Sequence, residues 1–153
     1  MLQIGKRAPS FSLVNADGKK ISLKDYAGKS VVLYFYPRDN TPGCTLQAQE
    51  FQRLLPEFKK RKAVVLGVSP DTTASHCKFR DKFELSFDLL SDPEHAVLEK
   101  YGAWGEKTLY GKKTIGVIRT TVLIDKEGNV QKVFPKVKVN GHVDAVLAAI
   151  DEG

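Results

Sequence analysis

Val31-Val32-Leu33-Tyr34-Phe35-Tyr36-Pro37-Arg38-Asp39-Asn40-Thr41-Pro42-Gly43-Cys44-Thr45 runs an apolar stretch into a Pro- and Gly-rich turn that delivers one cysteine. The apolar part reads as a strand buried on both faces, spanning Lys29 to Tyr36. Pro42 suits the first position of a following helix, where a missing N–H costs nothing. Cys44 then sits at the helix start, where free backbone N–H groups and the positive end of the helix dipole favour a thiolate. The thiolate is the nucleophilic form of cysteine, so this turn prepares Cys44 for attack. A buried structural cysteine is the plainer alternative.

The chain around this stretch alternates strand and helix. Ser10–Val14 and Lys20–Leu23 flank an Ala16-Asp17-Gly18-Lys19 turn, an N-terminal hairpin. After Cys44, Phe51, Leu54, Leu55 and Phe58 form one apolar helical stripe. Ala63–Val68 reads as a second buried strand, parallel to the first. Ser69-Pro70-Asp71-Thr72 ends it and caps a helix running to about Phe83, and Asp92 before Pro93 caps another that Gly102 closes. Thr120–Ile124 and Val130–Phe134 form an antiparallel pair, and Val143, Val146, Leu147 and Ile150 share one face of a last helix. A βαβ unit, a ββ hairpin and a closing helix, with a cysteine after the first βα turn, is thioredoxin-like topology. The expected fold is α/β: a central mixed sheet flanked by helices with an N-terminal β-hairpin extension, in one domain over residues 1–153. Gly28-Lys29-Ser30 imitates the end of a phosphate-binding loop, but Leu23 stands where its first glycine is needed.

Composition removes other classes. With 153 residues, 42% hydrophobic and 27% charged, the chain is of globular type. No apolar run approaches the roughly 20 residues of a membrane span, and the start lacks a secretion signal, so a cytosolic location is expected. Two cysteines and three histidines without ligand spacing give no disulfide framework and no metal site. The net charge of +6 comes from scattered lysines and short clusters such as Lys59-Lys60-Arg61-Lys62. A solvated basic face explains them better than nucleic-acid binding.

A thiolate that attacks an O–O bond needs restrained water and a polarised, aligned peroxide. Thr41, three residues before Cys44, can reach the sulfur or the incoming oxygen across the first helical turn. Pro37 offers a rigid ring and no N–H, and can shield the sulfur. An arginine suits as cationic donor because its fork can touch sulfur and oxygen together. Arg38, Arg80 and Arg119 are the candidates. Arg119 lies in the apolar setting Gly116-Val117-Ile118-Arg119-Thr120-Thr121, where an unpaired charge is costly, whereas Arg38 reads as a solvent-facing turn residue.

Phe35-Tyr36-Pro37 through Thr41-Pro42-Gly43-Cys44-Thr45 resembles the active-site signature of peroxiredoxins, in the form of the Q-type branch, the bacterioferritin comigratory proteins. The likeness extends through Gly67–Asp71, Leu89–Pro93, Tyr101–Lys107, Tyr110–Lys113 and Ile118–Asp125. The resemblance implies a thioredoxin-fold peroxidase that reduces hydrogen peroxide and organic hydroperoxides without metal or organic cofactor. Cys44 would be its peroxidatic cysteine and Pro37, Thr41 and Arg119 its activating shell, in a monomer reduced by thioredoxin or a similar dithiol. Many members of the branch carry a resolving cysteine five residues on, but here that position is Gln49. The other thiol is Cys77, on the later helix. It is either the resolving cysteine, which requires both helix starts to unwind, or a core cysteine in a small apolar slot beside Phe79 and Phe83; an external thiol would then act directly. His76 reads as a helix-surface histidine, while Trp104 and Tyr110 either border the site or pack under a Gly- and Lys-rich loop. Two rivals stand beside the peroxidase: a non-catalytic thioredoxin-like binding or chaperone module, and a disulfide reductase. Against the reductase, Gln47 occupies the second position of a Cys-x-x-Cys motif.

Overall fold

Six consecutive buried residues make Ser30–Phe35 (β3) the central strand of a seven-stranded sheet. The structure, a computed structural model, describes residues 2–153. Along β3, Val31, Leu33 and Phe35 enter one core while Val32 and Tyr34 enter the other, with Tyr36 beyond the strand end joining the second. The strand is apolar on both sides because both sides are covered.

Ala63–Ser69 (β4) runs parallel to β3, and Asp88–Ser91 (β5) parallel to β4. On the other side Thr120–Ile124 (β8) is antiparallel to β3, followed by Val130–Phe134 (β9). The hairpin of Ser12–Asn15 (β1) and Lys20–Ser22 (β2) extends the sheet beyond β5. The order is β2-β1-β5-β4-β3-β8-β9, the mixed thioredoxin-like sheet with an added hairpin that the alternating pattern predicts. Helices Pro42–Arg53 (α1), Leu55–Lys60 (α2), Thr73–Phe83 (α3) and His142–Glu152 (α5) cover the face holding Tyr34. Ala96–Lys100 (α4) packs Val97 and Leu98 on the opposite face. Among the described residues, no helix is long and apolar enough to cross a membrane.

The structure departs from the sequence reading at four points. The apolar stripe after Cys44 is two helices, broken at Leu54, because Pro56 has no N–H for the carbonyl a turn earlier and its ring collides there. α4 starts later than Asp92-Pro93 suggests, after His95, yet Asp92 still caps it from a distance: its carboxylate accepts the buried first-turn Leu98 N–H at 2.8 Å. β5 escapes sequence reading because four residues carry no measurable period; only its pairing with β4 and β1 defines it. The Gly- and Lys-rich loop is an antiparallel hairpin, Trp104–Leu109 (β6) with Lys112–Val117 (β7). Its Tyr110-Gly111 turn has positive φ at both residues, the geometry that matches strand twist.

Gly67 is where the sheet tolerates no side chain. A Cβ there would stand 2.9 Å from Cζ and Oη of Tyr34 and 3.1 Å from Leu89 Cδ2. The Tyr34 ring cannot yield, since Phe51 stacks on it at 4.5 Å between centroids and Phe87 abuts it at 6.0 Å. Gly67→Ala is expected to cost about 1–3 kcal/mol of stability by overpacking. Chemical denaturation checks this; a neutral substitution would mean the aromatic stack is looser than described.

Candidate active site

The turn leaving β3 places Cys44 as the third residue of α1, with Thr41 as N-cap in extended conformation and Pro42 at the first helical position. Cys44 is 2% exposed and lies in the core cluster with Tyr34, Tyr36, Ala48 and Phe51. A negative charge on a sulfur so placed needs nearby compensation, and it faces one. Arg119 Nη2 donates to Cys44 Sγ at 3.2 Å while Nη1 donates to Gln47 Oε1 at 2.6 Å. Arg119 comes from the link between β7 and β8, where its carbonyl accepts the Val137 N–H at 2.8 Å. The guanidinium lies over Gly43, where a Cβ would stand 3.4 Å from Nη2, in van der Waals contact.

The hydroxyl of Thr41 donates to the Arg38 carbonyl at 2.9 Å, not to the sulfur. Its proton is therefore committed, and its lone pairs are left to receive a proton from an incoming molecule. Pro37 is half-buried and Arg38 is exposed, the latter as its turn position predicts. Arg80 serves elsewhere, pairing with Asp17 at 2.7 Å and Asp81 at 3.1 Å. Gln47, fully buried, shows in the sequence only as the missing second cysteine. Its place one helical turn after Cys44, on the same face, is the signal that could have found it. Its Nε2 has no hydrogen-bond partner among the described residues. Burial and the Arg119 charge hold His142 down to about 4, so it is a neutral ring, within 2.8 Å of Thr121 Oγ1. Burial, reinforced by charge on Cys44 and Asp39, pushes the Tyr34 hydroxyl well above its usual range and keeps it protonated.

The same turn carries a second buried group. Asp39 accepts from Tyr36 Oη at 2.6 Å and from Ser75 Oγ at 2.8 Å, and its Oδ2 lies 2.7 Å from His76 Nδ1. His76 is therefore not a surface histidine; it is 0% exposed. The sequence gives no warning, because its partners lie on the β3 turn and on β5, far along the chain. Asp39 N–H donates to Asp71 Oδ2 at 2.7 Å, and Asp71 also accepts from Ser69 Oγ at 2.7 Å. Asp39, Asp71 and His76 offer ligand atoms within 4.8 Å of one another. These carboxylates and this ring already hydrogen-bond to protein groups, an arrangement built around protons rather than a cation.

Cys77 and Cys44 are both free thiols. Cys77 does not occupy an apolar slot: it is half-buried, its sulfur accepting from Arg80 Nη2 at 3.4 Å and donating to Asp81 Oδ2 at 3.7 Å. The apolar face of α3 is taken by Phe79, which turns Cys77 toward its charged neighbours. Trp104 packs, stacking on His95 with ring centroids 3.9 Å apart, whereas Tyr110 at the hairpin tip is 96% exposed.

The chain is similar to known proteins along nearly its whole length. The AhpC/TSA family model matches residues 4–133. A putative peroxiredoxin bcp of Helicobacter pylori (strain J99) is 50% identical over 149 residues, covering 97% of this chain and 98% of that protein. Peroxiredoxin Bcp of Bacillus subtilis (strain 168) is 44% identical over 151 residues, covering 99% and 96%. Among solved structures, Xanthomonas campestris peroxiredoxin Q superposes with a TM-score of 0.88 at 44% identity, over 93% of this chain and 90% of the other. The Xanthomonas campestris bacterioferritin comigratory protein, described for its alkyl peroxide reduction activity, gives 0.91 at 40% identity over 98% of both chains.

Proposed function

The chain belongs to the AhpC/TSA family and is a thiol-dependent peroxidase of the peroxiredoxin Bcp type; from that premise we propose that Cys44 is its peroxidatic cysteine, activated by Arg119, Thr41 and Pro37. The observation that carries this reading is the guanidinium at 3.2 Å from the buried sulfur. The sulfur attacks one oxygen of the peroxide, the O–O pair leaves on the other oxygen, and that oxygen takes up a proton to depart as water or an alcohol. Cys44 is left as a sulfenic acid. Arg119 stabilises charge on sulfur before attack and on the departing oxygen afterwards, held in one orientation by Gln47. The Thr41 oxygen accepts the hydroperoxide proton and so orients the O–O axis, while Pro37 limits water at the sulfur. Hydrogen peroxide and organic hydroperoxides are the proposed substrates.

Regeneration runs through Cys77. Its sulfur attacks the sulfenic sulfur of Cys44, a disulfide forms, and the hydroxyl leaves as water. Arg80 beside the Cys77 sulfur supports the attacking thiolate. An external dithiol of the thioredoxin kind then reduces the bridge by thiol exchange. This scheme suits a monomer in a reducing cytosolic compartment. Oxidation with one equivalent of peroxide, followed by mass measurement under denaturation, tests it. Loss of two hydrogens is expected for the wild type, and gain of one oxygen for Cys77→Ser. A wild-type protein that gains oxygen and forms no bridge removes Cys77 from the cycle and leaves the external thiol to act directly.

A further inference from the structure

We infer that Asp39 and His76 are positioning residues of the Cys44 turn: a buried, proton-sharing clasp that holds the turn against α3 for peroxide attack and must part before Cys44 can reach Cys77. The last clause rests on the role proposed for Cys77; the clasp itself does not.

Geometry fixes the proton count. His76 Nε2 lies 3.0 Å from the Leu90 carbonyl, which can only accept, so Nε2 carries a hydrogen. Nδ1 faces a carboxylate oxygen at 2.7 Å, and that carboxylate already accepts from Tyr36 and Ser75. A proton must therefore sit between Nδ1 and Oδ2, whichever atom holds it more tightly. Closed, the pair holds one proton that a neutral imidazole and a carboxylate would not.

The clasp carries much of the join between the turn and α3. Beside it lies a cleft of about 340 Å³ lined by Asp39, Asn40, Ser75, Lys78, Phe79 and Lys82, so side-chain packing there is sparse. A further polar link across it is exposed, Lys82 Nζ to Asn40 Oδ1 at 3.3 Å. The ionisable groups facing the pair are few. Tyr36 comes from the end of β3, its hydroxyl pushed well above its usual range by burial and by the Tyr34 and Asp39 neighbours. Asp71, after β4, contacts Asp39 through the backbone N–H. Lys78 and Lys82 stand on the cleft, and β5 contributes only the Leu90 carbonyl.

Opening of the turn exchanges this buried, proton-sharing bond for bonds to water. Asp39→Asn weakens the clasp while keeping its shape: the amide can donate to Nδ1 of a neutral ring and its oxygen can accept from Tyr36, but the Ser75 hydroxyl loses its acceptor. With no shared proton, the turn of that variant parts more readily.

The test uses Cys77→Ser protein, in which Cys44 is the remaining thiol, with and without Asp39→Asn, at neutral pH. Two rates are read: modification of Cys44 by a bulky neutral maleimide, which needs the turn open, and formation of sulfenic acid by peroxide, which needs it closed. Asp39→Asn is expected to raise the first about tenfold and to lower the second; unchanged rates, or rates that rise or fall together, overturn the clasp. Should Asp39→Asn lack native circular dichroism, His76→Gln takes its place under the same criterion. Opposed changes in protein whose wild type forms no disulfide keep the clasp and remove the Cys77 step. Unchanged rates with a normal disulfide do the reverse.

Discussion

Cys44→Ser is expected to reduce peroxide consumption to background, a loss of several orders of magnitude, while leaving the fold intact. A serine hydroxyl at this position is close in size to the thiol, and the core cluster around Tyr34 and Phe51 is undisturbed. Chemistry fails for a different reason. An alkoxide is not formed at neutral pH by one neighbouring guanidinium, and oxygen is a poor nucleophile toward O–O bonds beside a thiolate. The measurement is peroxide disappearance in single turnover, with circular dichroism as the control on folding. Substantial peroxide consumption by the folded variant would remove Cys44 from the mechanism and turn attention to Cys77.

The second large effect is expected at Arg119. Removing a preorganised charged donor from a buried site costs on the order of 10²–10³ in rate, about 3–4 kcal/mol of transition-state stabilisation. Arg119→Ala is therefore expected to slow sulfenic acid formation by that factor. Arg119→Lys should recover only part of it. The guanidinium spans two acceptors, Gln47 Oε1 at 2.6 Å and Cys44 Sγ at 3.2 Å, and an ammonium on a flexible stem cannot reproduce that fork. Stopped-flow measurement of the peroxide step separates this from effects on regeneration. A rate within a few-fold of wild type for the alanine variant would show that the contact does not activate the sulfur. A non-catalytic binding module would likewise be indifferent to both substitutions, so the pair of variants also separates the peroxidase from that rival.

Much of this site is legible because it is local. Pro37, Thr41, Pro42, Gly43 and Cys44 lie within eight residues, and the strand before them announces itself by unbroken apolar character. Nearest-neighbour physics then gives the rest: a proline at the first helical position, an N-cap threonine, a thiol in the first turn. Arg119 could be singled out from three arginines because Ile118, Thr120 and Thr121 surround it with residues that bury. Gln47 is open to the same logic, one helical turn from Cys44 on the same face. The break at Pro56 is equally written in the chain, although the apolar stripe continues through it.

Other features had no local signature. His76 looks like any polar residue on a short amphipathic helix until β5 brings the Leu90 carbonyl and the β3 turn brings Asp39 to it. The hairpin of β6 and β7 lacks apolar alternation because it faces solvent, so only its pairing reveals it.

Strand burial, proline geometry and helix capping act over a few bonds, so the order of residues is enough to specify the class of fold, the nucleophile and the turn that presents it. Folding in three dimensions settles how Arg119 reaches the sulfur, what holds that arginine, and that Asp39 and His76 meet to share a proton. Those depend on distances across the sheet between residues 37 to 75 positions apart, and contacts at such separations are set by packing and not by neighbours in the chain.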